Sequence, residues 1–198
     1  MTIDQIRFSL SQNPIITERT VIEPMDEDSF ADYLNYAMTA VSLLEDDDLA
    51  EKIKSDCRRD TFANNALVLS VRLSNTGEVI GFFQLKKIDS APEIGIDILK
   101  EQQAKGFGYE ICRSCIDYIF CNTDIEILYY NCFKTNTVSL RLSKKLGAEF
   151  VKEIKLFDAV QKPDVSEELQ EWSAEFNVLI HVIKKDAWRQ LCVPIRNI

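Results

Sequence analysis

The hydrophobic period of this chain changes partway along, and that change constrains its fold more than any other feature. Leu67, Leu69, Val71 and Leu73 alternate with smaller or polar residues up to Asn75-Thr76-Gly77, and Val79 through Lys87 follows. Period two across a glycine-bearing turn predicts a β-hairpin. Glu93–Leu99 predicts a third strand, with Glu93, Gly95 and Asp97 on one face and Ile94, Ile96 and Ile98 on the other. Past Gly106 the pattern turns helical: Gly108, Ile111, Cys112, Cys115, Ile116 and Ile119 form one stripe. Strands and helices must therefore share one α/β layer structure.

The remaining segments extend this scheme. A short amphipathic start (Ile3, Ile6, Leu10) ends near Asn13-Pro14, and Ile15–Glu23 reads as a strand that Pro24 stops. Asp26-Glu27-Asp28 opens a helix carrying Phe30, Tyr33, Leu34 and Ala37, because acids favour the positive end of the helix dipole. The run Glu45–Asp48 separates it from a second helix ending near Asp60. Ile125–Cys132, rich in β-branched and aromatic residues, predicts a central strand. Val138, Leu142 and Leu146 mark one face of a further helix, opposite Arg141, Lys144 and Lys145, with Gly147 as its cap. Strands at about 149–159 and 175–184 flank a polar insertion, 161–174. The expectation is a single domain over 1–198 with an N-terminal extension, 1–14, and a mixed, mostly antiparallel sheet of about seven strands. A chain of 198 residues can bury roughly 70% of its unfolded surface, enough for one core.

Charge narrows the function. Lys+Arg 23 against Asp+Glu 32 gives a net charge of −9, the wrong sign for a protein that tracks a nucleic-acid backbone. The one histidine, His181, excludes a multi-histidine metal site and reads as structural, and no metal is expected. Residues 1–15 have no basic segment followed by an apolar one, and no stretch approaches the roughly 18 apolar residues of a membrane span. The expectation is a cytoplasmic protein with no membrane partner and free thiols at its six cysteines. Cys112 and Cys115 form a CxxC inside the helical stripe, which reads as burial rather than as a redox or zinc pair.

The chemistry is concentrated after the third strand. Lys100-Glu-Gln and Gln103-Ala-Lys-Gly106-Phe-Gly108-Tyr109 form a loop with two glycines that opens a helix. Glycine lets backbone N–H groups approach an anion, and the helix start adds about half a positive charge, the physical recipe for a pyrophosphate site. No Gly-Lys-Ser/Thr follows, as a P-loop requires, and the third glycine of a dinucleotide fingerprint is missing.

The downstream pattern carries a resemblance. Gln103-x-x-Gly106-x-Gly108, then a strand, then Asn136-x-x-Ser139 opening a helix that ends Lys145-Leu-Gly147, resembles the GNAT acetyltransferase family. Thr17-Glu-Arg19-x-x-Ile-Glu-Pro24, Glu78-Val-Ile-Gly81-Phe and Asp186-Ala-Trp188 resemble the branch that acetylates N-termini of ribosomal proteins, so the likeness covers about residues 15 to 188. It implies a GNAT fold splayed between the fourth and fifth strands, and acetyl-CoA as co-substrate. Backbone amides of Gln103, Ala104, Lys105, Gly106, Phe107, Gly108 and Tyr109 would hold the pyrophosphate. The strand edge near Ile96 and Ile98 would pair with the pantetheine arm, and Asn136 would hydrogen-bond it. Asn136 also fits a helix cap.

Direct attack in a ternary complex needs a neutral amine and a protonated leaving thiolate. Many relatives place a tyrosine seven residues after the asparagine, where this chain has Ser143. The branch uses a serine three residues after it, which implies Ser139 as acid. The resemblance implies Glu93 as base, through water, and Asp158 as a carboxylate working with the serine. Ser139 also reads as an ordinary first-turn residue, and Glu93 as an ion-paired strand carboxylate.

Freeing an amine at pH 7 costs roughly 1 kcal/mol for an α-amino group and roughly 4.6 for a lysine, which favours an α-amine acceptor. Residues 26–60 hold eleven acids against four bases, −7 of the total −9. In the family this region walls the acceptor, so a cationic acceptor is expected: a basic N-terminal peptide, a polyamine or an aminoglycoside. Tyr129, Tyr130, Phe133 and Trp172 are candidates to line its cleft, with core packing the alternative for each. The rival readings are acetylation of a small amine and a non-catalytic acyl-CoA sensor or scaffold. A monomer or a homodimer is equally compatible.

Overall fold

The computed structural model describes residues 2–39, 47–62, 65–155 and 177–192. They belong to two compact units, Met1–Asp124 and Ile125–Ile198.

The first unit begins with α1 (Ile3–Gln12), closed by a reciprocal cap: Thr2 Oγ1 accepts from the Gln5 N–H while Gln5 Oε1 accepts from the Thr2 N–H. Ile3, Ile6 and Leu10 are buried, and Arg7 Nη2 donates to the Ala66 carbonyl at 2.6 Å. Ile3–Gln12 is thus packed into the unit through one face of the helix. Next come β1 (Ile15–Ile16) and β2 (Thr20–Pro24), where one continuous strand was expected. The break has a local cause. Thr17 Oγ1 accepts from the N–H groups of Thr20 at 2.8 Å and Arg19 at 3.3 Å, folding the chain back on itself. The strand ends at Pro24, as expected, with Pro24 its last paired residue, opposite Leu69.

Asp26 caps α2 (Glu27–Thr39) by accepting from the Ser29 N–H at 2.8 Å, and α3 is Asp47–Thr61. Strands β3 (Leu67–Leu73), β4 (Val79–Lys86) and β5 (Glu93–Ile98) then complete an antiparallel order β1-β2-β3-β4-β5. Register places Phe82 opposite Asp97, Gln84 opposite Gly95 and Lys86 opposite Glu93. On that face Phe82 meets the Tyr33 ring edge-on at 5.1 Å and packs with Met25, Phe30, Val68 and Val79 under α2. The helix α4 (Phe107–Asn122) packs on β4 and β5 and buries Phe107, Ile111, Cys112, Cys115, Ile116, Ile119 and Phe120. Its CxxC is core, as the stripe predicts. Burial pushes the Cys112 thiol up to about 12 and the Cys115 thiol well above its usual value.

The second unit contains β6 (Ile127–Phe133), α5 (Thr137–Lys145), β7 (Glu149–Ile154), β8 (Val178–Lys184) and α6 (Lys185–Cys192), with antiparallel strand order β6-β8-β7. The described strands number eight in all, one more than expected, because the first expected strand is split. The buried face of α5 also differs from expectation. Val138 is 73% exposed, while Ser143 is buried with Leu146. Ser143 is tolerated inside because its hydroxyl donates to the Leu140 carbonyl at 2.9 Å. Trp188 on α6 is buried. The expected insertion 161–174, Trp172 and Asp158 lie outside the described residues. Among the described residues no helix is long and apolar enough to cross a membrane.

Candidate functional site

The loop leaving β5 is built for close approach. A single 3-10 turn, Lys100–Gln102, follows the strand, and Gln103 Nε2 returns to donate to the Ile98 carbonyl at 2.9 Å. Ala104 then takes φ +59° and Gly106 φ +86°, both left-handed. At Gly106 only glycine does so without strain. At Ala104 an L side chain adopts it at a cost of roughly 1–2 kcal/mol, so the surrounding contacts must hold the shape. Gly106 is the N-cap residue of α4 and brings no side-chain cap. The first-turn amides of a helix have no intrahelical acceptor and point outward with the positive end of the dipole. Gln103, Ala104, Lys105 and Gly106 are exposed, Phe107 is buried, and Gly108 and Tyr109 are half-buried. This cradle fits a pyrophosphate: an anion would receive the amides of residues 104–109, with Lys100 and Lys105 nearby in the chain, whereas the Gln103 N–H, expected to join them, is already donated to the Lys100 carbonyl at 3.3 Å.

A clamp that sequence reasoning did not assign holds the loop. Arg19, in the β1–β2 turn, donates from Nη1 to the Lys105 carbonyl at 3.0 Å, and its guanidinium lies 4.2 Å above the Phe107 ring. Its Nε and Nη2 both reach Glu110 Oε2, at 2.8 and 2.5 Å, and Glu110 Oε1 also accepts from the Thr17 hydroxyl and the Arg19 N–H. Burial pushes the Glu110 carboxyl up, but the hydrogen bonds from Thr17 and Arg19 together outweigh it and hold the group below its ordinary value.

On β5, Ile96 and Ile98 are half-buried on the α4 side. Across the strand, Glu93 Oε2 lies 2.8 Å from Lys87 Nζ. Asp97, on the same face, accepts from Tyr36 Oη at 3.2 Å and from Gln84 Nε2 at 3.0 Å. Burial raises its carboxyl above the usual carboxylate range against the opposing Tyr36 hydrogen bond and the Lys86 charge.

In the second unit Asn136 Oδ1 accepts from the Ser139 N–H at 3.0 Å, so the cap reading of Asn136 is realised. Ser139 Oγ also lies 2.8 Å from Tyr130 Oη, and Cys132, on the same face of β6 as Tyr130, hydrogen-bonds it too. Tyr130 is buried, Tyr129 half-buried and Phe133 46% exposed. His181 is buried opposite Tyr130 and stacks edge-on to Phe150 at 5.8 Å.

The acid-rich helices are partly self-neutralised. Arg58 pairs with Glu27 at 2.8 Å and Lys54 with Glu51 at 2.6 Å, while Asp28 and Asp32 are exposed. Glu45 and Asp46, and the side chains of Asp47, Asp48, Asp56 and Asp60, lie outside the described residues.

Residues 19–149 match the acetyltransferase (GNAT) domain family. No curated protein matches the sequence. Solved structures do. A spermidine N-acetyltransferase from Vibrio cholerae in complex with CoA and spermine superposes with TM-score 0.62 at 16% identity, over 86% of this chain and 98% of that one. RimL, a ribosomal-protein alpha-N-acetyltransferase in complex with coenzyme A, gives TM-score 0.64 at 14% identity, over 88% and 99%. RimJ from Mycobacterium smegmatis in complex with CoA-disulfide gives TM-score 0.62 at 14% identity, over 85% and 83%. At these identities the likeness is one of fold.

Proposed function

This chain belongs to the GNAT acetyltransferase family, and from that premise we propose that it transfers an acetyl group from acetyl-CoA to the N-terminal α-amine of a protein or peptide. The observation that carries the reading is the left-handed Gly106 at the head of α4, held by Arg19 through the Lys105 carbonyl. It supports diphosphate binding by the amides of residues 104–109, with Ile96 and Ile98 on the strand edge offered to the pantetheine arm.

Bound acetyl-CoA supplies the thioester carbonyl that the amine attacks. From the second unit, Asn136 is assigned to the pantetheine arm and Ser139 to protonating the leaving sulfur. The hydroxyl partner of Ser139, Tyr130, supports that role, since it supplies a phenol where position 143 lacks one. The amine's proton goes to the polar face of β5, which carries two carboxylates, Glu93 and Asp97. An α-amine fits best because its deprotonation at pH 7 costs only about 1 kcal/mol.

A small cationic amine is the second reading, favoured by the acid-rich stretch 26–60 and by the fold shared with a spermidine acetyltransferase. Thiol release from acetyl-CoA with α-amino peptides, polyamines and aminoglycosides separates the two. Gly106→Glu, which sets a carboxylate where the diphosphate belongs, abolishes CoA binding in calorimetry. Unchanged affinity in that variant contradicts the loop assignment.

A further inference from the structure

The two carboxylates on the α2-covered face of β5 have different surroundings. Glu93 begins the strand and is ion-paired to Lys87 in the β4–β5 turn. Asp97 lies four residues further, about 13 Å along the strand, next to Ile98, whose carbonyl is tied to Gln103 of the loop. Each Asp97 oxygen has a donor, Tyr36 Oη for Oδ1 and Gln84 Nε2 for Oδ2. The Gln84 amide also reaches Tyr33 Oη at 3.5 Å. Gln84 is 6% exposed, so this polar group sits deep in a layer otherwise built from Phe82, Phe30, Met25 and Val68. Between the two acids, Gly95 puts no side chain on this face. A Cβ there would lie 3.8 Å from Gln84 Cβ, in ordinary contact, so no side chain of β5 stands between Glu93 and Asp97 on this face.

Packing alone does not call for this arrangement. A carboxyl placed among apolar residues is costly, and a layer of this kind closes with an apolar side chain at no such cost. Resting on the acetyl-transfer reading above, we propose that Asp97 is the base that takes the proton of the acceptor's primary ammonium, docked against Tyr33 and Tyr36, with Tyr36 and Gln84 as positioning residues. Carboxylate and ring faces together are the chemistry that recognises an ammonium group.

The step balances. The ammonium gives one proton to Asp97. The nitrogen lone pair then forms the C–N bond at the thioester carbonyl, and collapse of the adduct breaks the C–S bond with its electron pair on sulfur. The sulfur takes one proton, the nitrogen loses its second, and Asp97 returns its proton to water. Ammonium and acetyl-CoA become amide, CoA thiol and one released proton.

The groups facing Asp97 support the assignment. From α2 come Tyr33 and Tyr36, from β4 Lys86 and Gln84, and on its own strand Glu93. Burial, with Asp97 adding to it, pushes the Tyr36 phenol up to about 12, so it remains a donor throughout the working range. Burial likewise raises the Asp97 carboxyl, bringing its proton affinity nearer that of an amine.

The test combines pH–rate profiles with ¹³C NMR titration of the Asp97 carboxyl in the enzyme without substrates, and with CoA calorimetry. Asp97→Asn keeps CoA affinity but loses about 100-fold or more in kcat. Tyr36→Phe removes a hydrogen bond to the ionised acid, so the acid limb and the NMR midpoint both move upward by about one pH unit. Full kcat in Asp97→Asn overturns the proposal. So does an acid limb that vanishes in Glu93→Gln and survives in Asp97→Asn, or an Asp97 midpoint at the ordinary aspartate value. Wild-type protein that binds CoA yet acetylates no amine overturns the transfer reading itself, a result distinct from an active Asp97→Asn.

Discussion

At the scale of single residues, activity and stability pull in opposite directions at Asp97. Its folded pKa is raised, so the stability it contributes is present below the ordinary aspartate value and is lost as pH rises through the folded value. Asp97→Asn is therefore more stable than wild type near neutrality, and the difference disappears in acid. Thermal melts across pH 4 to 8 check it, and a variant less stable at pH 7 contradicts it. Ser139 is a different case. Its N–H, not its hydroxyl, satisfies the Asn136 cap, so Ser139→Ala leaves α5 folded. The expected result is a kcat about 100-fold lower with KM little changed, and an unchanged kcat removes Ser139 from the mechanism. Ser139, Glu93 and the loop residues were nameable from the sequence because they stand at fixed spacings within one segment. Tyr36 and Asp97 meet across 61 positions, and nothing local in either segment announces the contact.

At the scale of elements, the β1–β2 turn and the first turn of α4 are fastened by Glu110. Because its folded pKa is lowered, its contribution is present above the ordinary glutamate value and is lost as pH falls through the folded one. Glu110→Gln costs about 1–2 kcal/mol at pH 7, discounted because Arg19 is partly exposed, and the penalty vanishes in acid. Arg19 also holds the Lys105 carbonyl, so the same variant weakens CoA binding. Equal melting temperatures at pH 7 contradict this account. Periodicity located nearly every element, yet it misread two of them. The strand over Ile15–Glu23 is broken by Thr17, whose hydroxyl partner Glu110 lies 93 positions away. The buried face of α5 is displaced because Ser143 satisfies its own hydroxyl and goes inside while Val138 stays out. Both errors come from side-chain hydrogen bonds, which a hydrophobic pattern does not register.

At the scale of the molecule, the negative charge is uneven, −7 of −9 falling within residues 26–60. If that stretch attracts a cationic acceptor, replacing Asp46, Asp47 and Asp48 by Asn raises the acceptor KM, more steeply at low salt, and leaves CoA affinity intact. An unchanged KM makes the acids a solvated surface. The central claim is narrower: a left-handed glycine at the head of α4 holds a diphosphate. Titration calorimetry of CoA into wild-type protein and Gly106→Glu tests it most directly. The account predicts one site per chain in the wild type and none in the variant; equal affinity in both, or no heat of binding in the wild type, contradicts it.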